Sequence, residues 1–256
     1  MKVRVPLADS GSLAVHLEEP GRSDGRATVA LYLHGFGSSQ EGEKADLLRQ
    51  RFLATDVAFC SFDFQGHGDS DGSMLDLSIS RNLSDTAIVH RWLLERDYEQ
   101  IILFGSSMGG LTGLWHAVRS THPVIAAIHL APALGLEETM LTELGADSVA
   151  AWERDGKLEI GHDLGAWDIG WSFVEDLRSL EIERLCADYA TPTLIFQGKH
   201  DTSVPWRAVV DFATQAAGEA IELHLFADGD HRMIERLPRL WQLTEEFLLG
   251  RGLLTG

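Results

Sequence analysis

The stretch Ile101–Gly110 reads IILFGSSMGG, an aliphatic run that ends in two adjacent serines with glycines on both sides. Three kinds of turn fit such a pattern: one that binds phosphate, one that merely joins a strand to a helix, and one that exposes a single hydroxyl for attack on a carbonyl. A phosphate-binding turn takes the spacing G-x-x-x-x-G-K-[ST], and no lysine stands near this one. Gly105-Ser106-Ser107-Met108-Gly109 fits G-x-S-x-G, with strand-like IILF before it and helix-like MGGLTGLWHAV after it. In that context a strained turn lifts the middle serine, Ser107, clear of a sheet, and small flanking residues relieve the crowding. The same five-residue pattern arises by chance, and its weight comes from the segments around it.

Two later segments supply partners. TPTLIFQGKHDTSVP is a strand ending in a turn, with Asp201 just past its C-terminal end, and IELHLFADGDHRM is a last strand with His231 in the loop beyond it. In the order Ser107, Asp201, His231, the imidazole takes the serine proton and returns it to the leaving group, while the carboxylate fixes the tautomer and stabilises its positive form. Taken singly, Asp201 is also explained as a turn-capping aspartate and His231 as a surface loop histidine. Upstream, ATVALYL runs into His34-Gly35-Phe36-Gly37. Negative charge that develops on a carbonyl oxygen has to meet preorganised donors, and the amides of Phe36 and Met108 are the candidates for such an oxyanion hole. Ser38 and Ser39 read as solvated loop serines.

Short β-branched or aliphatic runs alternate with longer amphipathic ones along the chain. SLAVHLEE, ATVALYLHG, VAFCSFDF, IILFG, VIAAIHLAP, TPTLIFQG and IELHLFADG are the strand candidates. Helices are expected over Lys44–Phe52, Ser80–Arg96, Met108–Arg119, Pro205–Ala217 and Pro238–Leu249. In the second, Ile79, Leu83, Ala87 and Leu94 fall on one stripe; Pro205 and Pro238 each suit a first helical turn. Strands alternating with helices imply an α/β fold with a mostly parallel central sheet and helices on both faces. The alternation breaks between Ala133 and about Cys186, where short helical pieces (EETMLTELGADSVAAWE), a turn at Asp155-Gly156 and the Trp-containing GAWDIGWSFVEDLRSL appear. So long a connection between core strands is expected to be a lid insertion over residues 133–186, with 1–132 and 187–256 forming the core. It leaves VIAAIHLAP at its carboxyl end, the edge where open α/β sheets bind ligands.

Composition excludes several partners. With 39 acidic against 21 basic side chains the net charge is −18, which disfavours nucleic acid and anionic membranes. No apolar run approaches a bilayer span, and MKVRVPLADSGSLAVHLEEP lacks the apolar core of a signal peptide, so a cytosolic protein is expected. Cys60 and Cys186 read as buried thiols. The Asp/Gly/His-rich loop DFQGHGDSDG, residues 63–72, has neither EF-hand nor zinc spacing; turn formation explains it, and no metal is expected. His16, His90, His116, His122, His129, His162, His200 and His224 show no paired-ligand pattern and read as surface or satisfied core residues.

Together HGFGSS, FDFQGHGDSDG, GSSMGG, GKHDTSVP and GDHRM resemble the serine α/β-hydrolases with a small lid, a group that includes cinnamoyl and feruloyl esterases. GSSMGG, WSFVEDL, GKHDTSVPW and DHRM are also similar to the depalmitoylase and acyl-glucuronide esterase group. The likeness runs from about Val29 to Phe247 and is weak from Ala133 to about Gly170. It implies Ser107, Asp201 and His231 as the triad and Phe36 and Met108 as oxyanion donors. Many esterases of this superfamily carry histidine before the nucleophile; Ser106 stands there here, which suits the depalmitoylase-like group better. The expected activity is hydrolysis of a small-molecule carboxylic ester through an acyl-enzyme, without cofactor. A thioesterase or acyl-glucuronide esterase, and a hydrolase-derived binding protein that does not turn over, are the alternatives. Trp152, Trp167, Trp171 and Phe173 suit an apolar or aromatic acyl group, or equally the packing of the lid on the core.

Overall fold

The β-branched and aliphatic runs become the strands of one large sheet in a computed structural model that describes residues 1–8, 10–20, 28–162 and 165–254, the side chain of His162 excepted. The expectations for the His162 side chain and for Ala27 as the start of a strand lie outside the described residues. In chain order the elements are β1 (Lys2–Pro6), β2 (Ser12–Glu18), β3 (Thr28–Leu33), α1 (Glu43–Leu53), β4 (Ala58–Phe62), α2 (Ile79–Leu94), β5 (Gln100–Ser106), α3 (Met108–Arg119) and β6 (Val124–Leu130). There follow α4 (Leu136–Asp155), β7 (Lys157–His162), β8 (Gly165–Gly170), α5 (Ser172–Arg178), α6 (Ile182–Asp188), β9 (Thr193–Gly198), α7 (Trp206–Gln215), β10 (Ile221–Phe226) and α8 (Leu237–Leu249).

The large sheet runs β1-β2-β4-β3-β5-β6-β9-β10; β1 and β2 pair antiparallel, β2 meets β4 antiparallel, and from β4 onward neighbours are parallel. Successive side chains of β5 enter opposite cores. Ile101 and Leu103 pack with α2 and α3, whereas Ile102 and Phe104 pack with α1 and α8. Covering both faces is why the run IILF is apolar without alternation. Among the described residues no helix is long and apolar enough to cross a membrane. Both cysteines are free and buried, as expected.

Several elements depart from the sequence-based expectations. In α2 the buried residues include Ile79, Asn82, Leu83, Asp85, Thr86, His90 and Leu93, while Ala87 is exposed and Leu94 half-buried. Apolarity alone misplaces this stripe because polar side chains share it, two of them bonded within the protein: Thr86 Oγ1 donates to the Asn82 carbonyl at 2.7 Å, and Asp85 accepts from the amide of Gln65 at 2.9 Å. Pro205, with ψ 112°, precedes α7 as its cap rather than lying in its first turn; Pro238 does lie in the first turn of α8. Strand β1, paired antiparallel with β2, and the antiparallel hairpin β7–β8 lie outside the strand candidates of the sequence. The connection from β6 to β9 holds α4, bent at Gly145 (φ 75°, ψ 158°), then the hairpin, α5 and α6, the last crossing the expected boundary at residue 186. Gly156 closes α4 in the left-handed region, its N–H donating to the Trp152 carbonyl at 2.9 Å.

Candidate active site

Ser107 occupies the turn between β5 and α3 with φ 55° and ψ −118°, a conformation a non-glycine residue adopts only under constraint. The constraint is visible. Its N–H donates to the Leu130 carbonyl at 2.9 Å, and its own carbonyl accepts from Ala133 at 3.0 Å, so β6 and the chain beyond it grip the turn from both sides. Two flanking glycines make the tight crossing possible. A Cβ on Gly105 would stand 2.5 Å from the Gly109 carbonyl oxygen, and one on Gly109 would stand 2.2 Å from that of Leu33.

Parallel strands β9 and β10 end beside one another, and the loops beyond them carry Asp201 and His231 to Ser107. His231 Nε2 lies 3.1 Å from Ser107 Oγ, and His231 Nδ1 lies 2.8 Å from Asp201 Oδ2. A carboxylate only accepts, so Nδ1 carries the proton and Nε2 is left as the acceptor for the serine hydroxyl. The Asp201 side chain is fully enclosed. It accepts from the amides of Ser203 at 2.9 Å and Val204 at 2.8 Å, and from Gln197 Nε2 at 3.0 Å. Burial alone would raise its pKa, yet the hydrogen bond and charge of His231, with the Val204 amide and Gln197, outweigh it and hold the carboxyl below its ordinary value. The chain thus brings together, in hydrogen-bonding order, the three side chains expected from sequence.

The third wall is the loop after β3. A Cβ built on Gly35 would come 3.3 Å from Ser107 Cβ, so this backbone abuts the nucleophile candidate. His34 is buried and held neutral, its pKa pushed down to about 4 chiefly by burial. Its Nε2 accepts from the Phe64 amide at 3.1 Å, and its Nδ1 donates to the Gly35 carbonyl at 2.8 Å. Met108 opens α3, at a helix start where amides have no intrahelical acceptor.

The loop of residues 63–72 is a turn built around Asp63, which accepts from the amides of Gln40 at 2.6 Å and Asp69 at 2.9 Å and from Gln40 Nε2 at 3.0 Å. Of the aromatic residues between 133 and 186, Trp152 and Phe173 are buried, and Trp152 Nε1 donates to the Ile169 carbonyl at 2.8 Å. Trp167 on β8 is half-buried and meets Phe36 edge-on, 5.8 Å between centroids. Two residues beside the site were not singled out from sequence. Gln197 was detectable as a lone amide in an apolar strand four residues before Asp201. Lys44, whose Nζ donates to Ser106 Oγ at 3.0 Å, carried no signal beyond the scarcity of lysine. Among the described residues no group of three or more His, Cys, Asp or Glu side chains is placed to hold a metal ion.

Residues 24–156 match the family model of serine aminopeptidase S33, and the chain belongs to this family of α/β-hydrolases. The protein is therefore a hydrolase. It is 25% identical over 217 residues to the mitochondrial palmitoyl-protein thioesterase ABHD10 of Rattus norvegicus, covering 84% of this chain and 72% of that protein. Among solved structures it is similar to Est1E from Butyrivibrio proteoclasticus with ferulic acid bound (TM-score 0.84, 24% identity, 98% of each chain). Mouse alpha/beta hydrolase domain-containing protein 10 is similar as well (TM-score 0.81, 24% identity, 98% of this chain and 99% of that one). At such identities the structural likeness is one of fold.

Proposed function

We propose that the protein is a serine esterase that cleaves carboxylic esters through an acyl-enzyme at Ser107. The observation that carries this is the continuous hydrogen-bonded path from Ser107 Oγ through His231 to the enclosed Asp201. Ser107 Oγ attacks the carbonyl carbon and its proton passes to His231 Nε2; Asp201 stabilises the imidazolium that forms. The carbonyl oxygen, now negative, is met by the amides of Phe36 and Met108. Collapse of the tetrahedral intermediate expels the alkoxide, which takes the proton from Nε2. Water then enters, gives its proton to the same nitrogen and releases the acid.

Residues 133–186 act as the lid of this site. Trp152 and Phe173 pack it onto the core, while Trp167, beside Phe36, supports an apolar or aromatic acyl group. The name of the rat relative favours a second reading, a thioesterase working through the same steps with a thiolate as leaving group. Labelling by a fluorophosphonate that disappears in Ser107→Ala tests the nucleophile; ligand binding with neither labelling nor turnover would instead indicate a binding protein. Turnover of p-nitrophenyl, hydroxycinnamoyl and acyl-thioester substrates by one preparation, with an aminoacyl anilide alongside, separates the leaving groups.

A further inference from the structure

Of the four lysines, Lys2, Lys157 and Lys199 are exposed, whereas Lys44 turns inward. It leaves the first turn of α1 and runs beside a small cavity walled by Leu47, Leu48, Phe104, Leu130, Leu240 and Trp241. Its ammonium ends 3.0 Å from the hydroxyl of Ser106, a buried residue adjoining Ser107. Neither the positive end of a helix nor an apolar surround favours a charge, and an apolar side chain of similar volume would be at least as stable there. The charged groups that bear on Lys44 are Arg232, which opposes its charge, and Asp230, Asp201 and Glu43, which favour it. Burial is the largest influence and pushes its pKa down to about 8.

We propose that Lys44 is a positioning residue for the reaction: its ammonium anchors Ser106, and with it the strained turn that carries Ser107, and its charge forms part of the field around the Ser107–His231–Asp201 array. Ser106 and Ser107 share a peptide bond, so any drift of Ser106 changes the approach of Ser107 Oγ to His231 Nε2. Deprotonation of Lys44 removes a positive charge from the neighbourhood of Asp201 and of the anion that forms during acyl transfer. The inference rests on Ser107 being the nucleophile.

The test is a set of pH–rate profiles on a p-nitrophenyl ester for the wild type, Lys44→Met, Lys44→Arg and Ser107→Ala, with thermal unfolding of each. The wild-type kcat is expected to fall on the alkaline side with an apparent pKa near 8. Lys44→Met should unfold at the same or a higher temperature, yet lose roughly tenfold in kcat with KM changed less than about twofold, and its alkaline fall should vanish. Lys44→Arg keeps the charge and should move that fall above about pH 10. A Lys44→Met protein with wild-type kcat per folded molecule and an unchanged alkaline fall overturns the proposal. If that variant does not fold, Lys44→Arg decides alone, and an alkaline fall still near pH 8 overturns it. Turnover that survives in Ser107→Ala sinks the esterase reading together with this one; Ser107-dependent turnover indifferent to Lys44 sinks this one only.

Discussion

His34 Nδ1 lies 2.8 Å from the carbonyl oxygen of Gly35, which is the oxygen of the very peptide whose N–H belongs to Phe36. In a trans peptide the carbonyl and the N–H point in opposite directions, so fixing one aims the other. Because His34 Nε2 is occupied by the Phe64 amide, the ring cannot turn away without stranding a buried donor. His34→Ala should therefore reduce kcat roughly 10²-fold, as expected for a misdirected oxyanion donor, while fluorophosphonate labelling of Ser107 slows but persists. Steady-state kinetics with labelling rates checks it.

Asp201→Asn keeps the shape of the site but allows the wrong imidazole tautomer, in which Nε2 carries the proton and no longer accepts from Ser107. A loss on the order of 10³- to 10⁴-fold in kcat is expected, with KM little changed. A variant within about threefold of wild type would remove Asp201 from the mechanism.

The conformation of Ser107 makes an unusual stability comparison available. At φ 55° a glycine is relaxed where any side chain is strained. Both Ser107→Ala and Ser107→Gly should be inactive, but Ser107→Gly should be the more stable of the two by about 1 kcal/mol in urea unfolding.

Gly109 and Gly161 are expected to respond oppositely to alanine. A Cβ on Gly109 would meet the Leu33 and His34 carbonyl oxygens at 2.2 and 2.5 Å, and backbone cannot yield as a flexible side chain does. Gly109→Ala should lose more than about 3 kcal/mol or fail to accumulate as soluble protein. Nothing lies within 4 Å of the same atom on Gly161, so Gly161→Ala should be neutral within about 0.5 kcal/mol.

Stability should decline on acidification. Burial lowers the pKa of His34 and His90 to about 4 and of His67, His116 and His129 to about 3, from an ordinary 6.5. Between those values the unfolded chain binds protons the native one refuses, so stability is lost as pH falls below 6.5. Asp85, its pKa raised by burial to about 6, and Asp63, also raised by burial, act in the opposite sense, but the buried histidines outnumber them. Urea unfolding between pH 7 and pH 4 should show the fall, at roughly 1.4 kcal/mol per pH unit for each net proton. The His129 ring is fully buried, and burial outweighs the opposing effect of the Gly105 backbone on its pKa, so His129→Leu should flatten the dependence and stabilise the protein at low pH.

What the sequence reveals of this molecule follows from how narrowly chemistry restricts each residue. Ser107, Asp201 and His231 are legible because each stands in a short loop just beyond an aliphatic strand, and Gly105 and Gly109 because only a missing side chain lets the backbones cross. The hairpin β7–β8 is hidden, since KLEIGH and GAWDIG mix glycine and charge where strands usually show β-branched residues. In α2 the buried Asn82, Asp85 and His90 defeat a hydrophobic count. Lys44 is hidden for a related reason: a lysine after an acidic residue at a helix start reads as solvated, and only the direction of its side chain says otherwise.

Trp167 reaches from the hairpin onto the loop that follows β3, where a Cβ on Gly37 would collide with its ring at 2.7 Å. The hairpin is thereby wedged against the loop whose backbone abuts Ser107. Replacing the hairpin would therefore also shift the backbone beside Ser107, so any exchange there would have to be fitted jointly at Gly37 and Trp167.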